Sequence, residues 1–305
     1  MNRRDFIKWQ FAGCLAAMTG LRLHNPAAAL ASGQPDLAVV QGGPGPAARA
    51  SVELLGGMTS FVRPGDKVVI KPNMSFAQPP EAGTNTHPDV IQALAAMCRE
   101  ADAGSIAVLD NPLSDGERCL ESSGIRSAGQ AVPQCRVETQ KSSERFREVD
   151  LPQGVLLKQT EIMKDVLEAD VLIAAPVAKH HSSAGVSLSM KGMMGLVLNR
   201  GVFHWRYDLH TAIVDLCTRL TPQLTVIDVS RALTTRGPSG PGKVVRMDTV
   251  VASRDMVAAD AQVVAMVPWY GKSIAPRQVK HIREAHDRGL GRMDIDRLEV
   301  KRIQL

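Results

Sequence analysis

From about residue 32 onward, short runs of β-branched and aliphatic residues alternate with longer stretches in which apolar side chains recur every three or four positions. The short runs, Leu37 to Val40, Lys67 to Ile70, Ser105 to Leu109, Val171 to Ala174, Leu224 to Ile227 and Thr249 to Ala252, predict strands. The longer stretches predict helices near 46–58, 87–102, 115–124, 160–168, 204–220, 254–266 and 275–288. Such alternation predicts an α/β fold, a mostly parallel sheet with helices on both faces, spanning 32–305 as a single domain. The segment 126–159 breaks the pattern. It is polar and irregular, and reads as a small insertion whose runs around Val137 and Val155 form a hairpin or edge strands.

The first 31 residues follow a different logic. Asn2-Arg3-Arg4-Asp5-Phe6-Ile7-Lys8 has the twin-arginine pattern, and no charge occurs from Trp9 to Leu21. That stretch is too short and too often interrupted, by Gln10, Gly13, Thr19 and Gly20, for a membrane span, which needs about twenty apolar residues. Pro26 and the small-residue run ending at Ala31 complete a signal peptide with cleavage after Ala31. The expected partner during export is therefore the twin-arginine translocase, and the expected location is periplasmic or otherwise extracytoplasmic, with no stable membrane span after cleavage. A competing reading takes Phe11-Ala12-Gly13-Cys14 as a lipoprotein box with Cys14 acylated.

Charge changes the picture once the leader is set aside. The chain carries a formal +5, but Arg3, Arg4, Lys8 and Arg22 against Asp5 place much of that excess in the leader. No concentrated basic stripe remains and aromatics are only 4%, so nucleic acid is not an expected partner. Cys98, Cys119, Cys135 and Cys217 include no C-x-x-C pair, which gives no iron–sulfur cluster motif. Cys98 and Cys217 read as inert buried thiols, while Cys119 and Cys135 are candidates for a disulfide in an oxidising compartment.

In a parallel α/β sheet, ligands bind beyond the carboxyl ends of the strands, so the residues that follow each strand carry the chemistry. Lys71-Pro72-Asn73, with Thr84 to Pro88 after it, offers a point charge for an anion and Thr86 as a helix cap beside His87. Lys179-His180-His181 leads to Lys191 through Gly185 and Ser189, a polar group able to bind carboxylate or phosphate or to place a general base. Asp110 and Asp228 each end a strand. On a helix, His204, Asp208, Thr211 and Asp215 would share one face, from which His204 or His210 could add a metal ligand, although this is not the H-E-x-x-H pattern. Gly237 to Lys243 has the spacing of a phosphate-binding loop, yet Val244 stands where a magnesium-binding Ser or Thr is needed, and Pro238 and Pro241 remove backbone donors. It reads as a rigid loop closing over the Asp228 end of the cleft.

Val69-Ile70-Lys71-Pro72-Asn73, Thr86-His87-Pro88, Ala169 to Ile173, Lys179-His180, Lys191-Gly192-Met193-Met194-Gly195, Val226-Ile227-Asp228 and Gly237-Pro238-Ser239-Gly240 together resemble the family called domain of unknown function 362. The resemblance implies the α/β fold and supports these site residues, but it supplies no reaction. Gly192 stands where relatives usually have asparagine, and the ferredoxin-like cysteine module of many relatives is absent from this chain. The expectation is a cleft for a small anionic ligand. In it Lys179 and His180 do the chemistry, Lys71, Asn73, Thr86, His87, Lys191, Gly237 and Gly240 hold the ligand, and Asp110, Asp228 and His204 complete a shell for one metal ion. A non-catalytic accessory or cofactor-carrying protein is the rival reading, and an electron-transfer protein ranks third.

Overall fold

The computed structural model describes residues 33–305; the leader, its cleavage site and Cys14 lie outside the described residues. The strands are β1 (Leu37–Gln41), β2 (Lys67–Pro72), β3 (Ser105–Asp110), β4 (Cys135–Thr139), β5 (Phe146–Asp150), β6 (Gln159–Met163), β7 (Val171–Ala175), β8 (Val177–His181), β9 (Gly185–Ser187), β10 (Leu224–Leu233), β11 (Val244–Arg246), β12 (Thr249–Ser253) and β13 (Val300–Gln304). The main sheet runs β13-β1-β12-β10-β7-β2-β3-β4. Neighbours are parallel except where β12 lies antiparallel between β1 and β10. β8 extends β7 past Pro176, pairs with the far half of β10, and turns back as β9.

Strand alternation sorts the core into two layers. Ala38, Val40, Val68, Ile70, Ile106, Val108, Ile173, Val226 and Val250 face one side, where the helices Pro44–Leu54 and Pro88–Glu100 bury their apolar stripes. Leu37, Val39, Val69, Leu109, Leu172, Ala174, Ile227 and Val251 face the other, under the helices Leu209–Cys217, Met256–Met266 and Lys280–Asp287. Each fully buried aliphatic side chain of this kind stabilises the fold by about 1.5–3 kcal/mol. The mostly parallel α/β architecture is therefore the one the periodicity predicts. Among the described residues, no helix is long and apolar enough to cross a membrane.

Three local expectations are corrected. Residues 159–163 form a strand rather than the start of a helix, because Gln159–Met163 pairs antiparallel with Phe146–Asp150 in a separate hairpin, and only Lys164–Leu167 is helical. Val137 does lie in an edge strand, β4 beside β3, whereas Val155 sits exposed in a loop. The predicted helix 204–220 is broken in two, Val202–Trp205 and Leu209–Cys217, because Asp208 serves as an N-cap, accepting from the Thr211 N–H at 3.0 Å. All four described cysteines are free, Cys119 and Cys135 included.

The strip Thr84 to His87 fixes what comes next. His87, not Thr86, is the N-cap of Pro88–Glu100, its ring Nδ1 accepting from the Asp89 N–H at 3.2 Å. Pro88 at the first helical position has no N–H to leave unpaired. The Thr86 hydroxyl instead donates to the Ala175 carbonyl (2.7 Å) and accepts from the Asn73 N–H (2.8 Å), tying the end of β7 to the segment after β2.

Candidate functional site

The carboxyl ends of β3, β2 and β7 and the start of β8 meet at one edge of the sheet, and their polar side chains collect there. Lys71 is 2% exposed and its ammonium lies 3.1 Å from Asp110 Oδ1, while Asp110 Oδ2 accepts from the Met74 N–H at 3.0 Å. Lys71 also donates to the Pro72 carbonyl. Burial pushes its ammonium below the ordinary lysine range, opposed by Asp110 and reinforced by the charge of Arg200. Gly195 closes the back of this pair: a Cβ there would stand 2.2 Å from Asp110 Oδ1 and 2.7 Å from Lys71 Cε, so only glycine lets the backbone come so near. Asn111 fastens that turn, donating from Nδ2 to the Val197 carbonyl (2.9 Å) and from its backbone N–H to the Gly195 carbonyl (2.9 Å).

Lys179 comes from β8. It is 2% exposed, donates to the Thr84 carbonyl at 2.5 Å and lies over the Phe76 ring, 5.2 Å from its centroid. Burial lowers its pKa to about 7, with Asp110 acting against the shift and Lys71, Lys191 and Arg200 adding to it.

Lys191 lies in the short helix Ser189–Gly192, whose first turn is held by Asp260. That carboxylate accepts from the N–H groups of Ser189 (2.9 Å) and Met190 (3.0 Å) and from the Ser189 hydroxyl. Lys191 keeps part of its surface open to solvent, yet enough protein surrounds its ammonium to lower its pKa to about 7, with Arg200 and Lys71 adding to the shift and Asp110 opposing it. Arg200 is also half-buried and lowered by burial, with Asp110 opposing. Among the described residues, neither Lys191 nor Arg200 has a side-chain hydrogen bond or ion pair.

Two histidines border the group. His181, 7% exposed, accepts on Nδ1 from the Ser183 and Ala184 N–H groups (3.2 Å each) and stacks on His204 with centroids 5.9 Å apart. Burial lowers both, and the charge of Lys191 lowers them further. His181, held down at about 2, stays neutral beside the cations.

Several expected members lie elsewhere. On an extended strand, alternate residues point to opposite surfaces, so His180 turns away from Lys179 and His181. Its ring packs edge-on against Tyr270 at 4.8 Å and accepts from the Gly237 N–H at 3.2 Å. Gly237 and Gly240 go with it. Gly237 comes so close to the His180 carbonyl that a Cβ would stand 1.9 Å from that oxygen, and the loop is tied by Gln78 donating to the Ser239 carbonyl (3.0 Å) rather than lining the lysine group. Asp228, paired with Val177 at the start of β8, is spent on the fold. Its carboxylate is taken up by the Ser230 N–H (2.9 Å), the Ser230 hydroxyl (2.6 Å) and the His87 N–H (2.8 Å). Asp110, Asp228 and His204 consequently do not form a metal shell, and no group of three or more His, Cys, Asp or Glu suited to a metal occurs among the described residues. Asn73 spends its side chain on the fold, accepting from the Val177 N–H at 3.1 Å. His210 faces His281 instead, Nδ1 to Nδ1 at 3.2 Å.

Sequence reasoning missed Arg200 and Asp260, and of the pair His180-His181 it gave the chemistry to His180, whereas His181 is the one beside the cations. An aspartate inside the helix Met256–Met266, apolar apart from Asp260 and Gln262, is a readable signal, since a buried carboxylate needs partners. A lone arginine in the loop Leu198 to Gly201 gives none. Two surface concavities lie away from this group of lysines. One of about 370 Å³ is lined by Gly43, Arg231, Arg246 and Leu305, and one of about 510 Å³ by Arg236, Lys243 and Tyr270. Neither is lined by Lys71, Lys179, Lys191 or Arg200.

The sequence profile of the family described as Domain of unknown function (DUF362) matches residues 68–265, well over half of the chain. The chain belongs to that family. It is 27% identical over 225 residues to the thylakoid-associated protein sll1697 of Synechocystis, covering 70% of this chain and 66% of that one. Among solved structures it is similar to the lactate racemase apoprotein of Thermoanaerobacterium thermosaccharolyticum (13% identity, TM-score 0.47, 73% of this chain and 55% of that chain). It is also similar to a Thermotoga maritima structural-genomics protein (10% identity, TM-score 0.46, 81% of this chain and 60% of that chain). The DUF362 chain thus spans less than two thirds of the length of each.

Proposed function

We propose that this DUF362 protein binds a small ligand carrying at least two negative charges, of the carboxylate or phosphate type, in the recess formed by Lys71, Lys179, Lys191 and Arg200. The observation that carries the reading is the charge balance: four cations gather around one carboxylate, Asp110, and two of them lack any protein acceptor among the described residues. Holding desolvated like charges together costs several kcal/mol, and a polyanion offsets that cost. Binding is the function proposed, and it suits an enzyme or a carrier alike.

Arg200→Ala tests it. The variant should weaken sulfate or citrate binding by about 1.5–3 kcal/mol, roughly ten- to a hundredfold in Kd, as measured by calorimetry. The ligand-free melting temperature should stay level or rise, because one of several mutually repelling charges is gone. Unchanged affinity would sink the reading. We also propose export by the twin-arginine route, supported by Arg3-Arg4 and the Ala27 to Ala31 run. Arg3→Lys combined with Arg4→Lys should leave the full-length precursor in the cytoplasmic fraction; normal processing of that variant would refute it.

A further inference from the structure

We propose that the surface hollow of about 510 Å³ lined by Thr235, Arg236, Pro241, Gly242, Lys243 and Tyr270 is a second binding site, suited to a nucleoside monophosphate, a flat ring carried on a phosphate. It shares no residue with the lysine recess. It is built on the loop Gly237 to Lys243, whose spacing is that of a phosphate-binding loop. Val244 in place of a hydroxyl residue removes a magnesium ligand, and with it hydrolysis, but leaves binding untouched. A space of that size takes an organic ligand, where a lone inorganic anion would leave most of it empty.

The polar side chains of the lining are donors. Arg236 and Lys243 are exposed, and among the described residues neither side chain has a hydrogen bond or ion pair. The Thr235 hydroxyl accepts from the Lys243 N–H at 2.8 Å and the Tyr270 hydroxyl from the Arg236 N–H at 3.1 Å. Each hydroxyl keeps its own hydrogen for a ligand, since neither has an acceptor among the described residues. No Asp or Glu lines the hollow, whereas in the one of about 370 Å³ Arg246 already has Asp248 at 3.2 Å. Two cations and two hydroxyls around one space without a carboxylate match a phosphate group. The rings of Tyr270 and Pro241 supply the apolar part. Tyr270 is 54% exposed with His180 edge-on against it at 4.8 Å, and such a fixed, open ring is a stacking platform for a base.

The backbone around the hollow is held before any ligand arrives. Arg236 and Tyr270 are both left-handed, each at φ 52°, a conformation uncommon for side chains of this size and one that gathers at ligand sites. They hold each other, through the Arg236 N–H on the Tyr270 hydroxyl and the Tyr270 N–H on the Thr234 carbonyl at 3.2 Å. Thr234 in turn donates its N–H (2.8 Å) and its hydroxyl (3.0 Å) to the Lys243 carbonyl. Gly242 passes so near the Thr235 carbonyl that a Cβ would stand 2.0 Å from that oxygen. With this framework fixed, a ligand has only two charged side chains to order.

Calorimetry of the full-length protein with AMP, adenosine and inorganic phosphate tests the site. AMP should bind more tightly than either of its parts. Lys243→Ala should weaken AMP toward the affinity of adenosine, and Tyr270→Leu toward that of phosphate, each by about tenfold or more. The Lys243 side chain is exposed, so its removal should leave the melting temperature unchanged. If Tyr270→Leu melts lower, Lys243→Ala alone decides. Arg200→Ala, which weakens the recess, should keep AMP binding. AMP bound no more tightly than phosphate overturns the site, as does an affinity that Lys243→Ala leaves intact. AMP binding lost in Arg200→Ala and kept in Lys243→Ala would assign the nucleotide to the lysine recess and overturn it equally.

Discussion

An Asp215→Ala variant is expected to lose about 3–5 kcal/mol of folding stability, the range for removing one partner from a buried charged network. Asp215 is fully buried, and its carboxylate gathers the N–H groups of Val155 (2.7 Å), Leu156 (2.7 Å) and Leu157 (2.8 Å) together with the Arg288 guanidinium (2.8 Å). Alanine leaves three backbone donors without their acceptor and takes one of two carboxylates from Arg288, which keeps Glu284 (3.2 Å) and the Gln153 carbonyl (2.9 Å). Against a total stability of about 5–15 kcal/mol for a typical domain, that is a large fraction. Urea denaturation should show a lower midpoint with an unchanged slope. A loss under about 1 kcal/mol would mean that solvent replaces the carboxylate and that the 154–157 loop is not pinned by it. The same group sets an acid limit. Burial alone would raise its pKa, but the donors from Val155, Leu157, Arg288 and Leu156 hold it below the ordinary carboxylate range. Its contribution is therefore complete above that range and lost as pH falls through the depressed value.

Affinity for sulfate, whose charge is constant over the range, should rise as pH is lowered from about 8 to 6, by up to about tenfold per pH unit for each proton taken up. Lys179 and Lys191 both have pKa values near 7, below the ordinary 10.5, chiefly because of burial. The sign follows from the depressed folded value: the stability these groups contribute is present above the ordinary lysine pKa and disappears as pH drops through about 7, where they must charge inside the fold. The ligand-free protein should accordingly melt lower at pH 6 than at pH 8, and saturating sulfate should suppress the difference. Calorimetry in buffers of different ionisation enthalpy should register proton uptake on binding. Affinity that is flat across this interval would show that the lysines are charged throughout.

The central strands were legible because parallel strands covered on both faces are apolar almost throughout, as in Val171–Ala175 and Thr249–Ser253, where every residue is buried. The outlying strands were not. Phe146–Asp150 and Gln159–Met163 are stabilised by each other rather than by a core, so Gln-Thr-Glu-Ile-Met carries no strand signal of its own. β8 was hidden for a related reason: Lys179, His180 and His181 look like a loop until their pairing with β9 and β10 is known. Lys71, Lys179, Lys191 and Asp110 could be named from their places after strands. Which neighbours they keep could not, since assigning His180 or His181 to the recess depends on the parity of one short strand, and Asp228 is taken up by Ser230 and by the His87 N–H from another part of the chain.

The strip Thr84 to His87 gives this geometry a mechanical side. Its successive groups hold Lys179 through the Thr84 carbonyl, the end of β7 through the Thr86 hydroxyl, and Asp228 through the His87 N–H. A ligand that draws the Lys179 ammonium toward itself must loosen its grip on the first of these. The slack then passes along three residues of backbone to the carboxylate of Asp228. Occupancy of the recess would in this way register as faster amide hydrogen exchange at His87, a group outside the set of cations.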